Sequence, residues 1–249
     1  MPNKSVNIRY WSRLATSLFF AFNLGSQTAD VLAYLRPLEQ GTTAGRGEPY
    51  LYLHSDDDGP TTWDCSQPIR IAVNLRNLPA QHRADTLRDL QVVMDLISSQ
   101  SSFQLQLVGE TSVIPTTEWA QSWRSDSLFA PVVVAFGDAS DTDLFEPNSM
   151  AVGGFFQGEG SDGRTRAVVG FVYVHTEHFI RLKAGTGFMS RGALLAHELL
   201  HVLGLGHVHP SSRDSVMTPW LSSSLGKIGP GDVQGLERLA EVGCPSNVP

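Results

Sequence analysis

Charge is scarce in this chain, and none of it is concentrated. Asp, Glu, Lys and Arg supply 17% of the 249 residues, with 25 acidic against 18 basic side chains and a net charge of −7. No basic run is present to track phosphates, which argues against a nucleic-acid partner. Long apolar runs are missing too: nothing approaches the roughly 20 residues of a transmembrane helix. There is no internal repeat, no Gly-rich phosphate loop and no nucleophile motif built on Ser. Cysteine is limited to Cys65 and Cys244. What is abundant is ordinary core material, with 41% hydrophobic residues, enough for one sizeable domain running from about residue 50 to the end.

The N-terminus reads as an export signal. Lys4, Arg9 and Arg13 precede an apolar stretch, Leu14 to Leu24, and Val31-Leu32-Ala33 offers a small-residue cleavage site, with Ala29 as a second. Residues 1–33 are therefore expected to be a signal peptide. Residues 34–62, rich in Gly, Thr, Asp and Pro, read as a flexible leader or short pro-segment, although Tyr50 to Leu53 has the character of a short edge strand. Residues 63–249 form the expected folded domain. In an exported protein a single distant cysteine pair is expected to close a disulfide. The alternative is that Cys65 serves as an inhibitory thiolate on a metal.

Periodicity then sets the elements. Ile69 to Leu75 alternates and is β-branched, as is expected of a strand. Leu87, Leu90, Val93, Met94 and Ile97 recur at helical spacing within a helix over roughly 81–98. Phe103 to Val108 alternates again, and Pro131 to Phe136 is continuously apolar, as in a strand buried on both faces. Strands are expected at about 151–157 and 167–175, joined by a Gly-rich turn. A helix follows from an N-cap at Ser190 to Gly204, and a last one over roughly 233–242 with Asp232 as its N-cap. The sum is an α+β domain: one mixed, twisted, five-stranded sheet with three helices.

The chemistry is concentrated in residues 197–207, His-Glu-Leu-Leu-His-Val-Leu-Gly-Leu-Gly-His. On a helix His197 and His201 lie on one face a turn apart, close enough to share a metal ion. Gly204 permits a sharp turn, and His207 can fold back as a third nitrogen ligand. Three neutral imidazoles suit a catalytic zinc ion that keeps a position for water and lowers its pKa to about 7. Glu198, beside the first histidine, is placed to take the proton as general base. One zinc ion is the expected cofactor.

With Gly204 and His207, this run resembles the signature of the metzincin clan of zinc peptidases. Ser215-Val216-Met217-Thr218-Pro219 lies where those enzymes have a tight turn whose methionine floors the metal, so the resemblance gives Met217 that role. Over most of residues 63–244 the element order is most similar to compact bacterial matrixin-type peptidases. The resemblance implies a zincin-like fold with two subdomains flanking a cleft, and a substrate lying along an edge strand at about 151–156. Gly153, Gly154 and Phe155 would contact it, and Trp220 would line the side-chain pocket. Two residues depart from the pattern: Val208 stands where matrixins usually carry Ser, and Pro219 where astacin-like relatives carry a tyrosine.

Weaker signals remain. His209 is a rival third ligand, and His175 with His178 a candidate second zinc site. Asp138, Asp141 and Asp143, like Asp56 to Asp58, are loops whose oxygens suit calcium, although solvated acidic loops are the commoner case. The sequence therefore reads as a secreted, monomeric zinc endopeptidase acting on a peptide or protein substrate. Its alternative is a catalytically silent zinc-containing module that binds or inhibits through the cleft.

Overall fold

A computed structural model describes residues 49–122, 130–145, 149–159, 163–187, 189–209, 214–219 and 228–244. The expected signal segment, the leader up to residue 48 and Trp220 lie outside the described residues. The chain enters through three two-residue strands, β1 (Leu51–Tyr52), β2 (Ser55–Asp56) and β3 (Gly59–Pro60). Then come β4 (Ile69–Asn74), α1 (Ala80–Ser99), β5 (Leu105–Glu110), α2 (Thr117–Ser122), β6 (Val132–Gly137), β7 (Ala151–Glu159) and β8 (Thr165–His175). The last elements are α3 (Thr176–Arg181), α4 (Arg191–Leu203), β9 (Leu205–Gly206) and α5 (Pro230–Gly243).

The principal sheet has five strands in the order β5-β4-β6-β8-β7, parallel except for the antiparallel β7 at one edge. The α+β class and the mixed five-stranded sheet agree with the sequence reading. The helix number does not: the described residues form five helices, two of which, α2 and α3, are six residues each, too short to show a helical apolar period. The continuous apolar run of β6 divides between two cores. Val132, Val134 and Phe136 enter the main core with α1 and α4, while Val133 and Ala135 enter a second cluster with Phe171 and Tyr173. Alternation of side chains across a strand explains why all six residues are apolar and buried. The second strand begins later than its alternation suggests, because Phe103 is wholly buried before pairing starts at Leu105.

α4 is bounded as its sequence predicts. Ser190 Oγ accepts the Ala193 N–H at 3.1 Å, and Gly204 ends the helix in the left-handed region at φ +119°, where a Cβ would be strained. The N-cap of α5 differs from expectation. It is Gly229, with Pro230 next, and Asp232 sits in the first turn with its carboxylate accepting the Gly229 N–H at 2.8 Å.

The described part of the leader packs on the domain. Leu51 and Tyr52 pair antiparallel with Gly206 and Leu205, the Leu53 N–H donates to Gly204 O at 2.7 Å, and Thr62 O accepts from Ala167 N–H. Cys65 and Cys244 form a disulfide with Cα atoms 5.0 Å apart and 179 residues of separation, so the thiolate alternative does not hold for Cys65. The Cys65–Cys244 link closes a long loop in the unfolded chain. Replacing both cysteines with serine is expected to lower the unfolding free energy by roughly 3–5 kcal/mol, measured by urea denaturation. A loss below about 1 kcal/mol would show that the link contributes little to the folded state.

Candidate metal centre

α4 carries His197 and His201 on its buried face, both fully inaccessible, and β9 leads directly into His207. The Nε2 atoms of the three rings converge, at 3.0 Å between His197 and His207 and 3.1 Å for each contact of His201. Each of the first two rings is oriented from behind. His197 Nδ1–H donates to Val216 O at 2.7 Å, and His201 Nδ1–H donates to Leu205 O at 2.7 Å. These two bonds fix the tautomer, leaving the Nε2 lone pairs facing one another. Lone pairs in contact repel unless a proton or cation lies among them, and neutral imidazole nitrogens suit a divalent transition metal. Among the described residues these three histidines are the only group of three or more His, Cys, Asp or Glu whose ligand atoms approach so closely. Glu198 and His209 are outside it, as are the His175–His178 pair and both acidic loops. In one of those loops Asp141 already accepts from Asn77, the Asp138 N–H and Tyr173.

Electrostatics match the burial. Removal from water holds His197 down at about 3 and His201 at about 4, and it drives His207 well below the usual histidine value. Neighbouring imidazoles act in the same direction on His197 and His207. These three imidazoles are thus neutral at neutral pH, the form a metal ion would need. Burial also pushes the Glu198 carboxyl up to about 8, while a hydrogen bond from the Gly153 N–H pulls it down. Glu198 Oε1 and His207 Nδ1 are buried polar atoms with no protein partner.

Gly153, Gly154 and Phe155 lie in β7, which among the described residues has a strand on one side only. α4 crosses β7 so closely that a Cβ on Gly153 would stand 2.3 Å from Glu198 O. Glu198 therefore meets the edge strand at both its backbone and its carboxylate. Met217 is 1% exposed within the main core, and its carbonyl accepts the Val208 N–H at 2.9 Å. That bond ties the residue after His207 to the methionine turn, and the Val208 side chain is buried in the core, a place for an apolar residue.

Sequence reasoning missed what stands behind the ligands. The carbonyls of Leu205 and Val216 leave no sequence signal, since every residue has one. Asp232 did leave one, an acidic residue just after Gly229-Pro230-Gly231, but its role is larger than capping. It is fully buried, and its carboxylate accepts from Ser215 Oγ–H, and from Val216 N–H and Gly229 N–H at 2.8 Å each. Burial raises its pKa and those donors oppose the rise. Comparison of the chain with family models and with curated proteins returns no match.

The site should leave a two-sided pH signature in chelator-treated protein. The histidines have folded pKa values below 6.5, so below that pH the unfolded chain binds more protons and stability falls with acidification. Glu198 has a folded value above its ordinary 4.5, so its contribution falls as pH rises towards 8. Together they place maximum stability near pH ~7, and a bound dication, by lowering the Glu198 pKa, should remove the alkaline fall. Melting temperatures followed by circular dichroism with chelator and with zinc check this. A chelated protein whose stability is flat from pH ~4 to ~9 would contradict it.

Gly153→Ala is expected to cost about 1–3 kcal/mol through overpacking against α4, read by the urea midpoint. A neutral result would mean that α4 and β7 separate readily.

Proposed function

We propose that the protein is a secreted zinc-dependent endopeptidase of the metzincin type, most like the matrixins, with Glu198 as its general base. The observation that carries this reading is the convergence of three buried Nε2 atoms on one point, next in sequence to a glutamate with an unpartnered carboxylate oxygen. His197, His201 and His207 would hold the ion. Zinc in such a site supplies Lewis acidity, lowering the pKa of water towards 7 and polarising a carbonyl.

The remaining work belongs to the chain. The Gly153 N–H holds one side of the Glu198 carboxylate, leaving Oε1 to accept a proton from a nucleophilic water and return it to a leaving amine. The unpaired edge of β7 suits an extended peptide, which would add as a further strand through main-chain hydrogen bonds. Met217 would floor the ion from the apolar side. Secretion is supported by the basic and apolar N-terminal segment and by the Cys65–Cys244 disulfide. No helix among the described residues is long and apolar enough to cross a membrane.

Cleavage of a quenched peptide library with and without chelator tests the proposal. The expected result is chelator-sensitive endoproteolysis restored by zinc. Glu198→Gln should lower turnover by about 10²–10⁴-fold while zinc remains bound. Full activity in that variant removes Glu198 from the role. Zinc binding with no cleavage of any library member favours the silent peptide-binding module instead.

A further inference from the structure

We propose that Asp232 is a positioning residue that tunes His197 as a metal ligand through a hydrogen-bond relay crossing the methionine turn. This rests on the metal-centre reading and does not require that the protein be a peptidase. The relay has three links. His197 Nδ1–H donates to Val216 O at 2.7 Å. The amide at the other end of that same peptide, Met217 N–H, donates to Ser215 Oγ at 3.0 Å. Ser215 Oγ–H donates in turn to Asp232 Oδ1. Every donor in the series points towards the carboxylate, so the bonds polarise one another in one direction.

The surroundings preserve that effect. His197, Ser215, Val216, Met217 and Asp232 are all buried, between 0% and 6% exposed, so water does not screen the series. Three donors converge on the two carboxylate oxygens, an arrangement an ionised carboxylate satisfies. The Val216 N–H and Gly229 N–H bonds to Oδ2 hold the turn and the first turn of α5 together, which sets where Val216 O stands. A carboxylate hydrogen-bonded directly to a ligand histidine raises its basicity and holds its orientation. Here the same influence reaches the ring through a hydroxyl and a peptide.

His201 provides an internal control. Its Nδ1–H also meets a carbonyl at 2.7 Å, but that carbonyl belongs to Leu205, whose partner is Tyr52 of β1. No carboxylate takes part. The relay therefore distinguishes two histidines that sit on the same helix in the same core.

Zinc-loaded full-length protein is compared with Asp232→Asn and Ser215→Ala. The readouts are the imidazole Nδ1–H resonances by ¹⁵N-edited NMR and zinc affinity by competition with a chelating dye. Asp232→Asn keeps the shape and removes the charge. It should move the His197 resonance upfield, leave that of His201 in place and weaken zinc binding by about 10–100-fold. Ser215→Ala keeps the bonds from Asp232 to Val216 and Gly229 and breaks the relay at its hydroxyl. It should act in the same direction, and the double variant should lose little more than Asp232→Asn alone.

Equal movement of both histidine resonances would overturn the relay in favour of general loosening. An unmoved His197 resonance with affinity within about threefold of the parent would overturn it outright. Should Asp232→Asn not fold, the Ser215→Ala spectra decide by the same criteria. A parent protein that takes up no zinc would remove the metal centre itself, whereas variants that match a zinc-binding parent remove only the relay.

Discussion

Two ring N–H groups, on His197 and His201, each end on a main-chain carbonyl, and the candidate metal centre depends on those bonds. An imidazole free at Nδ1 can exchange tautomers and rotate, so its Nε2 lone pair has no fixed direction. Once Nδ1–H is committed to Val216 O or Leu205 O at 2.7 Å, the lone pair is aimed. The requirement then passes outward, because a carbonyl can aim a ring only if it is itself immobile. Val216 is held by Asp232 of α5, and Leu205 by pairing with Tyr52 of β1. The two ends of the described chain are thus recruited to orient two adjacent turns of one helix.

Much of this was legible in the sequence, and what was not has identifiable causes. The 197–207 run and Ser190 predicted α4 and its boundaries, because caps, glycine and ligand spacing are properties of residue type. The five principal strands could be read because alternation and burial reflect a sheet with a core on each side. The boundaries of β5 and α5 shifted for local reasons: Phe103 is buried ahead of the ladder, and Gly229 caps in place of Asp232. The β1–β9 pair was harder. Two residues per strand show no period, and nothing in Leu51-Tyr52 names Leu205-Gly206 as a partner. Main-chain acceptors behind the histidines are invisible to any reading of side chains.

The contact between α4 and β7 joins the site to the sheet. Gly153 lets the helix backbone come down onto the edge strand, and its N–H reaches the Glu198 carboxylate. The glutamate is consequently placed by the strand as much as by its own helix. A close backbone approach of this kind has a narrow solution in side-chain terms, since the space between the two elements admits a hydrogen and nothing larger. The position of the proposed base and the path of the proposed substrate are therefore one geometric fact.

The disulfide divides these supports unequally. From Cys65 to Cys244 the polypeptide is a covalent ring that contains the three histidines, Glu198, the methionine turn and Asp232. Neither end of that ring can peel away without breaking a bond. β1 lies outside it and pairs with Leu205 and Gly206 through its main chain, with Tyr52 packed against the main core. The support behind His197 is covalently enclosed, whereas the strand behind His201 stands outside the ring.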